Sequence, residues 1–477
     1  MTLVAGVDSS TQSCKVLVVD VTTGDIVREG RARHPEGTEV DPEAWWVALQ
    51  SAVTDAGGLA DVAAISVAGQ QHGLVALDAS GRVIRPALLW NDTRSADAAR
   101  QLIDELGAGE LARRTGSVPV ASFTSAKLRW MRDAEPSNAA RVAAIALPHD
   151  WLTWRLRGFG PQNPMLDELV TDRSDASGTG YFDATSDTWD RDILAAALRL
   201  PRDSNGNSGE SHSIVLPTVV VPGESRAVVV ASPEFPMGLV VAGGAGDNAG
   251  AALGLGAVAG DVVVSIGTSG TVFAVTATPS RDESGAVAGF ADASGLFLPL
   301  VATLNAARVL DAVAGLLGVD HAELGELALQ VEPGASDLVL QPWFEGERTP
   351  NRPDATATLF GMTLASTTRA ALARAAIEGL LCGLADGLDA VRGAGVAATR
   401  LLLIGGAAQN TAVSAIAAQV FDLPVVVPAP AEYVAVGAAV QAAWALTGDR
   451  PTWPVRLTSQ PTPDFRPRIR ENYRAHL

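Results

Sequence analysis

Cysteine is nearly absent from this chain of 477 residues, with Cys14 and Cys382 the two it has. Each lies in an apolar stretch without a second cysteine or a histidine at metal-ligand spacing. That argues against a disulfide framework or a zinc cluster and points to a reducing compartment. Positive charge is scarce as well. Lys+Arg number 35 against 53 Asp+Glu, a formal net charge of −18, which argues against nucleic acid or an anionic membrane as partner. Long apolar runs are missing too. No stretch reaches the roughly 18 to 20 residues of a membrane span, and the opening MTLVAGVDSSTQ has no basic leader, so the expected setting is the cytoplasm. What the chain has in quantity is apolar residues, 47% of the total, which is ample for large cores. Its length suits about two or three domains, and its partners are expected to be small molecules or proteins.

The densest chemistry lies between Val240 and Val275. An apolar, strand-like run over 239–241 ends in Gly243-Gly244-Ala245-Gly246, and then comes Asp247, a lone charge before a small-residue, helix-like segment over 248–256. A strand over 261–265 breaks at Gly267-Thr268-Ser269-Gly270 and resumes over 271–276, the pattern of a hairpin with a glycine-rich turn. Amides freed by glycine, with Thr and Ser hydroxyls beside them, suit phosphate oxygens. Near the start, β-branched runs over 3–7 and 15–19 flank Asp8-Ser9-Ser10-Thr11-Gln12-Ser13, and a third strand follows over 26–29. GVDSSTQSCKVLVV and SIGTSGTVFAV share one order: apolar strand, small polar turn, apolar strand. Duplication of one unit would place two such turns across a cleft from each other, gripping one polyphosphate. Each taken alone is equally well an ordinary β-hairpin.

Elsewhere the signals are local. Asp41-Pro42-Glu43 predicts a capped helix to about residue 56. A strand over 65–68 runs into Gly69-Gln70-Gln71-His72-Gly73, where polar residues between glycines suit a ligand loop, while a lone histidine is as readily structural. Trp90-Asn91-Asp92-Thr93-Arg94 fits either a polar ligand or a helix start. The segments 125–133 and 148–157 read as helices whose tryptophans pack, with little chemistry. TDRSDASGT over 171–179 is either a turn against the cleft or a surface loop. The Gly/Ser/Asn-rich stretch 204–213 is the expected flexible excursion. In the second half, helices are expected over 305–317, ending at Gly318, and over 367–391. The loop 342–350, rich in aromatic and charged residues, could line an opening. A strand over 401–404 enters Gly405-Gly406-Ala407-Ala408-Gln409-Asn410 before another helix, which suits a flat ring against backbone but is also a common strand-turn-helix. A buried helix is expected over 432–446.

Taken in order, the Asp8 turn, SVAGQQHG, LLWNDTRS, the Lys127–Trp130 helix, TDRSDASGT, GAGDNAGAALG, IGTSGT, GERTP and LLLIGGAAQN resemble the FGGY carbohydrate kinases over nearly the whole chain. GQQHG, WNDTRS and TDRSDASGT are most similar to the branch of that family acting on the ketopentose D-xylulose. Gln71 stands where the family usually has methionine, and the stretch 158–169 looks longer than usual.

The resemblance implies an α/β fold of two ribonuclease H-like domains of the actin and hexokinase ATPase type with a central cleft, divided here as 1–242 and 243–477. It implies ATP-dependent phosphorylation of D-xylulose to its 5-phosphate, with Mg²⁺, no nucleic-acid or membrane partner, and a homodimer as one allowed assembly. It assigns Asp247 as general base, and Gln71, His72 and Asn248, with Asp247, as sugar-binding residues. Asp8 would serve the catalytic magnesium and phosphates. Thr11, Gly267, Thr268 and Ser269 would line the phosphate loops, and Gly405, Gly406, Ala407 and Asn410 the adenosine loop. A sugar hydroxyl is a poor nucleophile, so a carboxylate that takes its proton, with a metal and amides on the phosphates, is what the transfer needs. The alternatives are another polyol or sugar acid (ribulose, ribitol or gluconate) or an actin-like or chaperone-like ATPase without a sugar.

Overall fold

The computed structural model describes residues 1–201 and 213–477; of the excursion expected at 204–213, all but Ser213 lies outside the described residues. Two seven-stranded sheets organise the chain. In the first, Leu3–Ser9 pairs antiparallel with Ser13–Asp20, which pairs antiparallel with Ile26–Arg33. On its other side Leu3–Ser9 runs parallel to Val62–Gly69, and that strand runs parallel to Val240–Ala242. The second sheet repeats this plan. Asp261–Ile266 pairs antiparallel with Gly270–Ala274, which pairs antiparallel with Phe297–Thr303. On the other side Asp261–Ile266 runs parallel to Arg400–Ile404, and that strand to Val425–Pro428. The two hairpins likened in the sequence therefore hold equivalent places in two ribonuclease H-like units, the actin and hexokinase type of α/β fold.

Alternation along the strands explains how each sheet is covered. Leu3, Ala5 and Val7 point into a cluster with Trp45, Leu49 and Val53 of the helix Pro42–Asp55. That helix starts where the sequence predicts, with the Asp41 side chain accepting from Glu43 N at 3.0 Å. Val4, on the opposite face, packs with Ala435, Ala439 and Ala442 of the helix Tyr433–Thr447. Close approach here depends on glycine: a Cβ on Gly6 would stand 2.0 Å from Ala435 O. In the second sheet Val262, Val264 and Ile266 meet Ile377, Leu381 and Leu384 of the long helix Arg369–Gly393.

The helix Asp247–Gly254 lies between the two sheets. Its Ala249, Ala252 and Leu253 share one apolar cluster with Ala68 and Ala245 of the first sheet and Val263, Phe273 and Leu402 of the second. The division expected at Ala242/Gly243 falls within the first sheet, because Ala245 and Gly246 pair with Ala68 and Gly69 beyond a two-residue break in the strand. The second sheet starts at Asp261. Tyr433–Thr447 comes from the second half of the chain yet covers the first sheet. No helix among the described residues is long and apolar enough to cross a membrane.

Candidate active site

Three parallel strands of the first sheet end side by side, and their carboxyl ends carry Asp8, the 69–73 loop and Asp247. The register sets Ser9 beside Gly69, and Gly69 beside Gly246. Carboxyl ends of parallel strands are where α/β sheets place ligands. Asp8 is 2% exposed. Ser10 Oγ donates to its Oδ1, and Lys15 Nζ lies 3.6 Å from Oδ2 while also pairing with Glu432 at 2.5 Å. Burial pushes the Asp8 carboxyl up, against the pull of Ser10 and Lys15. Thr11, in the same turn, accepts from Trp90 Nε1 at 2.9 Å.

Asp247 is the first residue of its helix, with Gly246 as N-cap. Asn248 donates from both its backbone N (2.8 Å) and its side-chain Nδ2 (2.9 Å) to Asp247 Oδ1. Among the described residues no hydrogen bond falls on Oδ2. Burial, with the charge of Asp8 adding to it, raises the Asp247 carboxyl to about 7, while the Asn248 bonds oppose the shift. A carboxylate so poised can hold or release a proton near neutral pH.

The loop that follows Gly69 is held from several sides. His72 has a left-handed φ of +69°, a strained backbone for a residue with a Cβ. Lys127 Nζ (2.8 Å) and Thr124 Oγ1 (3.1 Å) both donate to its carbonyl. The ring stacks on Phe123 at 4.9 Å, and Nδ1 lies 2.6 Å from Gly178 O. A carbonyl can only accept, so Nδ1 carries the proton, and Nε2 is left with a lone pair and no partner among the described residues. Burial first, and then Lys127, push this imidazole down to about 3. Lys127 is itself buried and drops to about 7. Gln71 is buried and donates from Nε2 to Ser174 O at 3.2 Å, beneath Gly246.

The second sheet ends in the turn Gly267-Thr268-Ser269 and the loop from Gly405, again at carboxyl ends of adjacent parallel strands, with Ser265 beside Ile404. Thr268 and Ser269 are exposed. Gly405 has φ +100°, and a Cβ there would stand 2.3 Å from Ile266 O, so the two loops touch through a glycine. Gly406 is exposed and Ala407 half-buried at the start of the short helix Ala407–Gln409. The Asn410 amide is committed elsewhere: Oδ1 caps Thr411–Val420 through Ala412 N at 2.9 Å, and Nδ2 donates to His321 O at 2.6 Å. The loop 342–350 is tied to the backbone of 304–305 through Glu347, which accepts from Leu304 N at 2.7 Å.

One feature of the site was left open in the sequence and another went unread. TDRSDASGT, left open as cleft turn or surface loop, is buried: the strand Val170–Asp172 and the helix Arg173–Ser177 lie against the 69–73 loop. In 148–157, taken as packing alone, His149 sits fully buried among Asp150 (3.0 Å), Asp175 (3.3 Å) and Asp172 (3.6 Å). Burial opposes charge on that imidazole, but the three carboxylates outweigh it and hold it up at about 9. Burial pushes Asp175 well above the usual carboxylate range, His149 pulling the other way. A His-Asp pair in the first turn of a tryptophan-bearing helix was the signal available.

Comparison with known proteins gives one answer across the chain. The N-terminal domain model of the FGGY family of carbohydrate kinases matches residues 3–254, and the C-terminal domain model of the same family matches residues 262–446. A xylulose kinase of Streptomyces coelicolor is 47% identical, the match covering 94% of this chain and 89% of the relative. A xylulose kinase of Streptomyces rubiginosus is 46% identical with the same coverage. The crystal structure of xylulose kinase from Bifidobacterium adolescentis superposes with a TM-score of 0.93 at 48% identity, covering 100% of this chain and 99% of that one.

Proposed function

Because the chain belongs to the FGGY family of carbohydrate kinases, we propose that it transfers the γ-phosphoryl group of ATP to D-xylulose, giving D-xylulose 5-phosphate, in the cytoplasm. The substrate rests on the similarity to xylulose kinases over 94% of the chain. The observation that carries the chemistry is Asp247, a carboxylate at a strand end beside the 69–73 loop, with one oxygen engaged by Asn248 and a pKa raised to about 7.

In this reading Asp247 accepts the proton of the sugar hydroxyl as that oxygen attacks phosphorus, and Asn248 orients the carboxylate. His72 Nε2 accepts a hydrogen bond from a second hydroxyl, and Gln71 fixes the loop from below. The first lobe thus carries the sugar. The second carries the nucleotide: the amides and hydroxyls of Gly267, Thr268 and Ser269, with Thr11 opposite, bind phosphate, and Gly405, Gly406 and Ala407 leave room for the adenosine. Asn410 acts from behind, as the cap that fixes the end of that loop. The acidic pair Asp8 and Asp247, hard oxygen donors whose charges repel, fits Mg²⁺, with Asp8 as the holding residue. Bound there, the ion would supply neutralising charge to the phosphates.

The test is release of ADP, measured with D-xylulose, ribulose, ribitol, gluconate and no sugar under identical ATP and Mg²⁺. Turnover should require sugar and be most efficient with D-xylulose. Equal ADP release without any sugar would leave an ATPase, and a higher kcat/KM for one of the other sugars would replace the substrate.

A further inference from the structure

The turn formed by Asp172 to Gly178 touches more of the site than any other short segment described above. Asp172 caps it with both oxygens, accepting from Ser174 N at 2.9 Å and Asp175 N at 3.0 Å. Ser174, fully buried, then makes two contacts with different loops. Its Oγ accepts from Gly246 N at 3.0 Å, the peptide just before Asp247. Its carbonyl accepts from Gln71 Nε2 at 3.2 Å. Nothing softer fills the gap between these loops: a Cβ on Gly246 would stand 2.6 Å from Gln71 Nε2. Four residues on, the Gly178 carbonyl holds His72 Nδ1. From the same turn, Ser177 Oγ accepts from Ala291 N at 3.0 Å and Arg173 donates to Leu296 O at 2.8 Å, both in the second lobe.

From this geometry we infer that Ser174 is a positioning residue, fixing the separation between the Asp247 carboxylate and the 69–73 loop so that a sugar bound on one presents its hydroxyl to the other. The inference rests on the reading of Asp247 as the base. The Ser174 hydroxyl touches neither substrate nor nucleotide; it acts through the Gly246 amide, and a buried N–H that loses its acceptor moves toward another one. Because Asp247 follows directly, that movement carries the carboxylate with it. A displacement of about 1 Å at a reacting group can cost about 100-fold in rate.

The experiment measures steady-state kinetics of the full chain as Ser174→Ala and Ser174→Thr, and as Ser174→Ala combined with Asp247→Ala. Ser174→Ala should lower kcat by about 10- to 100-fold, with the KM for ATP unchanged, which also reports that the protein is folded. Ser174→Thr, which keeps the hydroxyl, should recover most of the lost rate. In the Asp247→Ala background, Ser174→Ala should cause no further loss, since residues acting through one another are not additive. A loss that multiplies in the double variant overturns the positioning role while leaving the base intact. Parent-like kcat in Asp247→Ala alone overturns the base, and the inference with it.

Discussion

The two hairpins occupy equivalent places in equivalent sheets, yet one carries a buried acid at its strand end and the other does not. The first hairpin carries its acid at the end of the leading strand: Asp8 and Ser9 are buried, Asp8 is held by Ser10 and by Lys15, which is itself tied to Glu432, and the turn beyond is half-buried at Ser10 and Thr11 and exposed at Gln12. The turn after Asp261–Ile266 is open, with exposed Thr268 and Ser269 between glycines. One copy keeps a carboxylate out of water, which costs free energy and raises its pKa. The other offers amides and hydroxyls, with no acid in the turn. Asp8 and Asp247 both stand at strand ends of the first sheet. On the proposed function, two sheets of one strand plan would be divided into one half for proton and metal chemistry and one half for phosphate binding.

The harshest test of that division removes the acid that defines it. Asp247→Ala should lower kcat by about 10² to 10⁴-fold, the usual contribution of a general base, while ATP still binds, because the turn at Gly267 and the loop at Gly405 are untouched. ATP titration by calorimetry alongside turnover measures both. Turnover within tenfold of the parent, in a folded protein, would show that the first half does not supply the base.

A smaller effect is expected from Asp8→Asn. The Mg²⁺ needed for half-maximal rate should rise by about 10- to 100-fold, as when a group supporting a metal is lost. The pH profile sharpens the comparison. A base works deprotonated, so the parent rate should climb as pH rises through about 7, the value to which burial and the charge of Asp8 lift Asp247. Removing that charge should move the midpoint to lower pH. A profile left in place would mean that the two acids do not sense each other.

The mildest pair of changes asks whether each half serves a single ligand. His72→Ala should raise the KM for sugar by about two- to twelvefold, the equivalent of a lost hydrogen bond of about 0.5 to 1.5 kcal/mol, and leave the KM for ATP alone. Thr268→Ala should do the reverse. If either variant moved both constants equally, the split between the halves would fail.

Much of this plan was legible in the sequence because it is written locally. The lone acid after a run of glycines gave Asp247, the Asp41-Pro42 pair gave a helix start, and the shared order of the two hairpins gave the duplication. What stayed hidden is what depends on partners far along the chain. TDRSDASGT has the composition of a surface loop, and it is buried because its polar groups are matched by Gly246, Gln71 and Ala291. His149 looked like one polar residue in a packing helix, and its charge comes from carboxylates on the 172–175 turn as well as from its neighbour. Asn410 was assigned to the adenosine loop from the motif alone, whereas its amide is engaged by Ala412 and by His321, some distance earlier in the chain. The division at 242/243 was taken from the family resemblance, and the pairing of Ala245 and Gly246 with Ala68 and Gly69 continues the first sheet past it.

The helix Tyr433–Thr447 bears on how the protein is born. It covers one face of the first sheet across Gly6, and it packs on the helix Asp247–Gly254 through glycine contacts too tight for any side chain: a Cβ on Gly254 would stand 2.0 Å from Tyr433 O, and one on Gly437 would stand 1.8 Å from Gly250 O. The strand Leu3–Ser9 leaves the ribosome about 420 residues ahead of its cover, which emerges roughly 20 to 90 s later at about 5 to 20 residues per second. Through that interval Val4, Leu17 and Val19 have no Ala435 or Ala439 to pack against. The sheet that holds Asp8 and Asp247 waits for Tyr433–Thr447 to be translated, so one of its faces stays uncovered until most of the second half has been made.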